Sequence, residues 1–169
     1  MALELSEGTL LHSTLNGDRR SLGKLITKIE SGFRPDIPPT KTWTLGVTGP
    51  PGVGKSTLIG TLTSEWIKRG EKVAILAVDP SSPKSGGALL GDRMRMQGID
   101  SSESVYVRSI ATRNHPGGLA YSLAPMVELL SAAGWTRIII ETVGSGQSQI
   151  RIIAFTDRIL LVEGPDMGD

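Results

Sequence analysis

The residues with the clearest chemical potential form one glycine-rich stretch that ends in a lysine and two hydroxyls. This stretch consists of Gly49, Pro50, Pro51, Gly52, Val53, Gly54, Lys55, Ser56 and Thr57. In such a G-x-x-x-x-G-K-[ST] pattern the glycines let the backbone fold so that several N–H groups point at one phosphate group. Lys55 is placed to reach the β- and γ-phosphates, and the Ser56 hydroxyl to bind Mg²⁺. The pattern predicts a site for a magnesium-bound nucleoside triphosphate.

The flanking sequence favours the strand-loop-helix arrangement that this motif needs. Residues 43–48 form a short, largely apolar run of strand type. After the loop, apolar residues recur at helical spacing, which predicts a helix over 55–69. The positive end of that helix's dipole would face the phosphates.

Three carboxylates follow predicted strands or glycine-rich loops, where they could hold Mg²⁺ through oxygen ligands or bound water. Asp79 ends the run 73–78, Asp92 follows a glycine-rich segment, and Glu141 ends the run 138–140. For Asp79 the alternative is a turn cap before Pro80. For Asp92 it is an exposed surface charge, whereas Glu141 is harder to explain without a function.

Glu141 also opens a Glu-x-x-Gly segment that resembles the Asp-x-x-Gly switch of GTPases, in which the glycine N–H contacts the γ-phosphate. Gly144 would be that glycine. Gln147 could orient water, although a capping or surface role is as well supported. His115 carries no catalytic prediction. One member of an arginine group could serve as a transition-state cation, but surface charge is the simpler interpretation; the group is Arg93, Arg95, Arg108 and Arg113.

Alternating strand and helix patterns from residue 41 onwards predict an α/β fold with a doubly wound, mainly parallel sheet. Further strands are expected at 105–107 and 159–162, and helices at about 89–97, 122–133 and 146–155. Pro125 would cost about 3 kcal/mol inside a helix, so its helix is predicted to start near Ser122. In such sheets ligands bind beyond the carboxyl ends of the strands, where the loop lies.

The N-terminal residues predict two short helices within 1–32, with Asp18 as the N-cap of the second. These helices are expected to pack on the main domain. The prolines within residues 33–41 predict an extended linker there. The chain is therefore divided into an N-terminal helical extension (1–32), a linker (33–41) and a nucleotide-binding domain (42–169).

The composition of the chain argues against several classes of site and partner. The 169 residues carry a net charge of +1, which gives no electrostatic reason to expect nucleic acid as a partner. The chain has no cysteine, which excludes disulfides, thiolate metal sites and cysteine catalysis. No apolar run suggests a secretory signal or a membrane span. A cytoplasmic protein is expected, although a processed mitochondrial one would look the same.

Four motifs in this order and spacing resemble the MeaB/ArgK/MMAA family, the P-loop GTPases that act with methylmalonyl-CoA mutase. They are 49–57, 77–82, 86–92 and 141–148. The resemblance implies a P-loop fold of the SIMIBI type. It implies a GTPase chaperone that gates cofactor delivery to an adenosylcobalamin-dependent acyl-CoA mutase and protects it. It also implies GTP as substrate, Mg²⁺ as cofactor and homodimeric full-length relatives.

Carried over by position, the resemblance gives each site residue a role. Lys55 contacts phosphates, and Asp92 and Glu141 join it as catalytic residues. The loop 49–57 and Gly144 contact the nucleotide. The metal ligands implied are Ser56, Asp79, Asp92 and Glu141.

The main departure from this pattern is that the Asn-Lys-x-Asp motif that reads guanine is absent; smaller departures lie at Ser145, Gln149 and 163–165. The only asparagines are Asn16 and Asn114, and neither precedes a lysine. We therefore expect a truncated or split protein with a fold incomplete on its C-terminal side, and weak discrimination between GTP and ATP. A non-hydrolytic interaction module, half of a split GTPase, and a P-loop kinase or ATPase remain the alternatives.

Overall fold

The computed structural model describes residues 6–79, 102–111, 118–142 and 155–165. Its sheet contains five strands, which are β1 (Trp43–Thr48), β2 (Val73–Asp79), β3 (Val105–Ala111), β4 (Arg137–Thr142) and β5 (Arg158–Leu161). The strands lie in the order β3-β2-β4-β1-β5, and every neighbouring pair is parallel. The predicted parallel sheet is confirmed, and each apolar run that was predicted to be a strand contributes one strand to it.

Four helices are described, namely α1 (Glu7–Leu15), α2 (Arg19–Glu30), α3 (Lys55–Lys68) and α4 (Gly118–Ala132). Asp18 is the N-cap of α2 as predicted, since its carboxylate accepts hydrogen bonds from the backbone N–H groups of Arg20 and Ser21. The predicted helix at 89–97 lies outside the described residues, as does the one at 146–155 except for Phe155, which is in a turn. None of the helices in the described part of the chain is long and apolar enough to cross a bilayer.

Helices cover both faces of the sheet, which confirms the doubly wound architecture. The apolar cluster on one face combines α1, α2 and α4 with alternate strand residues; its helical members include Leu10, Leu25, Ile29, Leu123 and Met126. The cluster on the other face joins α3, through Ile59, to Leu45, Val47, Ile75 and Ile139. The N-terminal helices thus share one core with the strands, while the division of the chain at 33–41 stays a prediction.

The predicted start of the fourth helix near Ser122 is wrong. Helix α4 begins at Gly118, so Pro125 lies inside it, beyond the first turn. A proline there cannot donate to the carbonyl of Tyr121, four residues earlier. Arg34 replaces the missing donor, because its guanidinium donates to that carbonyl at 2.8 Å and stacks on the Tyr121 ring at 3.6 Å from the centroid. The helix therefore tolerates a proline that its own sequence argues against.

Candidate functional site: a phosphate loop at the carboxyl edge of the sheet

Parallel pairing brings the functional strand ends to one edge of the sheet. Glu141 of β4 is in register with Val47 of β1 on one side and with Ala77 of β2 on the other. Thr48, the last residue of β1, pairs with Leu161, the last residue of β5. The glycine-rich loop that leaves β1 therefore starts between the ends of β4 and β5, where ligands of such sheets bind.

The three loop glycines all adopt left-handed backbone conformations. Their φ angles are +145° at Gly49, +84° at Gly52 and +95° at Gly54. Side chains with a Cβ rarely accept such angles, so these positions require glycine. Gly54 is also the N-cap of α3 and provides no side-chain hydrogen bond there. The positive end of the α3 dipole thus faces the interior of the loop, as anion binding requires.

Lys55 is buried inside this loop rather than extended into solvent. Its side chain is 5% exposed. The ammonium donates to the carbonyl oxygens of Gly49 at 2.8 Å and Pro50 at 2.6 Å. Phosphate oxygens are stronger, charge-assisted acceptors than these carbonyls. The loop therefore holds a cation where a polyphosphate would be expected to bind.

The remaining residues of the loop and of the first turn of α3 are exposed to solvent to different degrees. Ser56 is partly exposed in the first turn of α3, so its hydroxyl is within reach of a ligand from solvent. Thr57, beside it, is exposed, and its carbonyl accepts a hydrogen bond from the Thr61 hydroxyl at 3.1 Å. Pro51 is exposed as well, and Val53 is half-buried.

Glu141 is buried on the face of the sheet that α3 covers. Its side chain is 3% exposed. Alternation along β4 places it on the same face as Ile139, which belongs to the α3-side cluster. Oxygen ligands such as this carboxylate and the Ser56 hydroxyl suit Mg²⁺. Within the described residues no group of three or more acidic, histidine or cysteine side chains forms a metal cluster.

Two threonine hydroxyls connect the strands beneath the loop. Thr142 Oγ1 lies 3.0 Å from Thr48 Oγ1, and Thr142 is 1% exposed. The pair joins the residue before Gly49 to the residue after Glu141. Sequence reasoning missed this contact, although a threonine at the carboxyl end of each strand was a visible signal.

The opposite end of β5 is fixed to β1 through Asp157. Its carboxylate accepts from the Thr44 backbone N–H at 2.9 Å and pairs with the Lys41 ammonium at 3.2 Å. The Thr44 backbone N–H bond is the main cause that lowers the pKa of Asp157 below its ordinary value of 3.8. The Asp157 backbone N–H donates in turn to the Thr44 carbonyl at 3.0 Å. These contacts set where β5 begins.

The structure brings some of the predicted site residues together and leaves others undescribed. The loop 49–57 and Glu141 meet at one edge. Asp79 is the last residue of β2 at that same edge. The predictions for Asp92 and Gly144 fall outside the described residues, as do those for His115 and Gln147 and for Arg93, Arg95 and Arg113.

Arg108, the fourth arginine considered from the sequence, forms an ion pair with α2 and not with the phosphate loop. Its guanidinium contacts the Glu30 carboxylate at 2.5 Å and donates to the Thr27 hydroxyl at 2.9 Å. Both partners belong to α2. Arg108 therefore joins α2 to β3, a structural role that neither of the two sequence interpretations, surface charge or transition-state cation, had included.

Comparison with known proteins places this architecture among named GTPases. Residues 22–169 match the family model of the methylmalonyl-CoA mutase-associated GTPase MeaB. A provisionally named GTPase of Pyrococcus abyssi is 42% identical over 168 residues, covering 95% of this chain and 52% of the relative. The GTPase ArgK of Escherichia coli is 35% identical over 98% of this chain and 54% of the relative. A fused isobutyryl-CoA mutase of Cupriavidus metallidurans is 35% identical over 95% of this chain, which corresponds to 16% of that longer protein.

Solved structures show the same fold. The crystal structure of a LAO/AO transport system kinase superposes with a TM-score of 0.65 at 25% identity, covering 95% of this chain and 51% of the other. The chain thus spans about half the length of the relatives from Pyrococcus abyssi and Escherichia coli. On the match over residues 22–169, this chain belongs to the MeaB family of methylmalonyl-CoA mutase-associated GTPases.

Proposed function

We propose that this protein binds GTP with Mg²⁺ at the phosphate loop and hydrolyses it. The observation that carries the proposal is the buried Lys55 ammonium, held at 2.8 Å and 2.6 Å by the carbonyls of Gly49 and Pro50. A loop of left-handed glycines around a buried cation at a helix N-terminus is suited to a polyphosphate. The choice of GTP over other triphosphates is supported by the named relatives.

In this proposal each residue at the edge has a defined role. On nucleotide binding the Lys55 ammonium exchanges its carbonyl acceptors for β- and γ-phosphate oxygens, and the first turn of α3 adds backbone N–H donors. Ser56 would hold Mg²⁺ directly, and Glu141, with Asp79 and Asp92, would hold its water ligands. The ion, when bound, neutralises charge that develops on the phosphate oxygens. Glu141, with Asp92, is the acidic group proposed to take part in hydrolysis, and Gly144 is proposed to contact the γ-phosphate.

We further propose that the partner is an acyl-CoA mutase of the adenosylcobalamin-dependent type. The family description names methylmalonyl-CoA mutase, and one relative is fused to an isobutyryl-CoA mutase. In this role GTP turnover would gate cofactor delivery and protect the mutase. A cytoplasmic location, expected from the composition, and a homodimer, which the resemblance implies for the full-length relatives, complete the proposal.

Turnover with γ-labelled GTP tests the enzymatic part of the proposal. We expect labelled inorganic phosphate from the wild-type chain and a loss of its release in Lys55→Ala and Glu141→Ala. The matched control is Lys68→Ala, on the same helix, because Lys68 is exposed and pairs locally with Glu65 at 2.6 Å. If wild type releases phosphate no faster than both site variants, the hydrolase proposal fails for this chain and a binding module becomes the better account.

A kinase is the second candidate, since the solved structure with a TM-score of 0.65 is described as a transport system kinase. The same labelled assay separates the two. Label that appears on an added acceptor rather than in free phosphate would favour the kinase.

A further inference from the structure

The backbone that follows β5 lies directly against the first glycine of the phosphate loop. A Cβ built on Gly49 would overlap the carbonyl oxygen of Val162 and lie 3.0 Å from its carbonyl carbon. The backbone N–H of Val162 also donates to the Thr48 carbonyl at 2.9 Å. Gly49 is therefore required for two reasons, its φ of +145° and this close approach of a neighbouring chain segment.

From this contact we infer that Val162 is a positioning residue for the phosphate loop. Its carbonyl sets how closely Gly49 can approach β5, and its N–H fixes the residue just before the loop. Gly49 in turn supplies one of the two carbonyls that hold the Lys55 ammonium. The Val162 backbone thus sets the position of Gly49, and the Gly49 carbonyl in turn sets the position of the Lys55 ammonium.

The side chains of β5 and its flanks explain how the Val162 backbone is held in place. Leu160 and Val162 pack against the apolar cluster on the α3 side of the sheet. At the other end of the strand, Asp157 is tied to Thr44 by hydrogen bonds in both directions. Between these anchors Ile159 and Leu161 are 42% and 57% exposed. Both ends of β5 are thus fixed on β1, and its carboxyl end lies against the phosphate loop.

This inference deepens the proposed nucleotide site and rests on it for its functional consequence. It predicts that β5 determines how well the loop recognises the β-phosphate, although no β5 side chain belongs to the phosphate-binding motif. Because the contacts are made by backbone atoms, a substitution that removes the N–H is a sharper test than one that shortens the side chain.

The experiment compares Val162→Pro with Val162→Ala in the full chain. Proline removes the N–H that reaches Thr48 while keeping most of the apolar volume; alanine keeps the N–H and loses volume. The residue before it, Leu161, is already in a strand, which is the conformation that proline requires of its predecessor. Backbone amide NMR signals of Gly49, Gly52 and Gly54 are recorded without nucleotide, together with those of α2, on the opposite face of the sheet, as a reference.

We expect the loop glycine signals to move or broaden in Val162→Pro and to stay close to wild type in Val162→Ala, with α2 unchanged in both. We also expect the preference for GDP over GMP to fall by about tenfold in the proline variant alone. General destabilisation would lower both affinities equally and leave that ratio intact. If the amide signals of the loop glycines are the same in Val162→Pro and Val162→Ala, the inference is overturned. Absence of GDP binding by wild type would count against the proposed function, whereas the nucleotide-free spectra still decide the role of Val162.

Discussion

At the scale of single residues, glycine conformation is the feature that most restricts the phosphate loop. Gly52 has a φ of +84°, yet a Cβ added there would meet nothing within 4 Å. Any effect of a side chain at this position is therefore conformational rather than steric. Gly23, in the middle of α2, also has open space where a Cβ would lie but carries no unusual φ, so it provides a matched comparison.

We predict opposite outcomes for alanine at these two glycines. Gly52→Ala should strain the loop and weaken GTP binding, because the left-handed conformation costs about 1 kcal/mol or more with a Cβ. Gly23→Ala should raise the free energy of unfolding by about 0.5–1 kcal/mol, since glycine is a poor helix former. Calorimetric titration and urea unfolding of both variants provide the check. Equal GTP affinity of Gly52→Ala and wild type would show that the loop rearranges on binding.

At the scale of secondary structure, Arg34, in the segment before β1, compensates for the hydrogen bond that Pro125 removes from α4. Arg34→Ala leaves the Tyr121 carbonyl without the 2.8 Å bond that replaces the missing helical donor. We expect this variant to lose about 1–2 kcal/mol of unfolding free energy. In a Pro125→Ala background the loss should be smaller, because the alanine N–H can donate to the same carbonyl.

A double-mutant cycle by urea unfolding measures this coupling. We expect a coupling free energy of about 1 kcal/mol between positions 34 and 125. An identical cost of Arg34→Ala in both backgrounds would mean that its other contacts, with the Tyr121 ring and the carbonyls of Ile29 and Phe33, account for its role.

The anchor of β5 should make stability depend on pH in the acid range. Hydrogen bonds from Thr44 lower the pKa of Asp157 below 3.8 in the folded protein. The stabilisation is therefore present above that value and is lost as the pH falls through the lower folded pKa. We predict that the difference in unfolding free energy between wild type and Asp157→Asn is largest near neutral pH and shrinks in acid.

Urea unfolding of the two proteins at about pH 6 and about pH 3 tests this. Because the other carboxyl groups titrate in both proteins, the difference isolates position 157. A difference that stays constant between the two pH values would contradict the assigned role of the carboxylate.

The elements that sequence reasoning predicted correctly are those fixed by neighbouring residues. The phosphate loop, the buried runs of β1, β2 and β4, and the Asp18 cap all depend on residues within a few positions of one another. The start of α4 was misplaced because the group that compensates Pro125 is Arg34, whose guanidinium reaches Tyr121 from 87 residues away. The Val162 contact with Gly49 escaped prediction for the same reason, since a backbone approach between distant segments leaves no side-chain pattern.

At the scale of the whole molecule, one sheet with helices on both faces supports a site at a single edge. The α3-side cluster holds the loop helix against β1 and places Glu141 on the same face. The opposite layer, with α1, α2 and α4, stabilises the sheet from the other side. Family membership and this edge geometry together support the proposals of a nucleotide site in the loop and of a mutase as partner.

The central claim is that the buried Lys55 ammonium is the phosphate-binding group, and calorimetric titration of the chain with Mg-GTP tests it most directly. We predict one saturable site in wild type and in Lys68→Ala. In Lys55→Ala we predict affinity weaker by about 100-fold, which corresponds to about 2.7 kcal/mol. Binding of Mg-GTP by Lys55→Ala as tight as that of wild type, or no binding by wild type, would contradict this account.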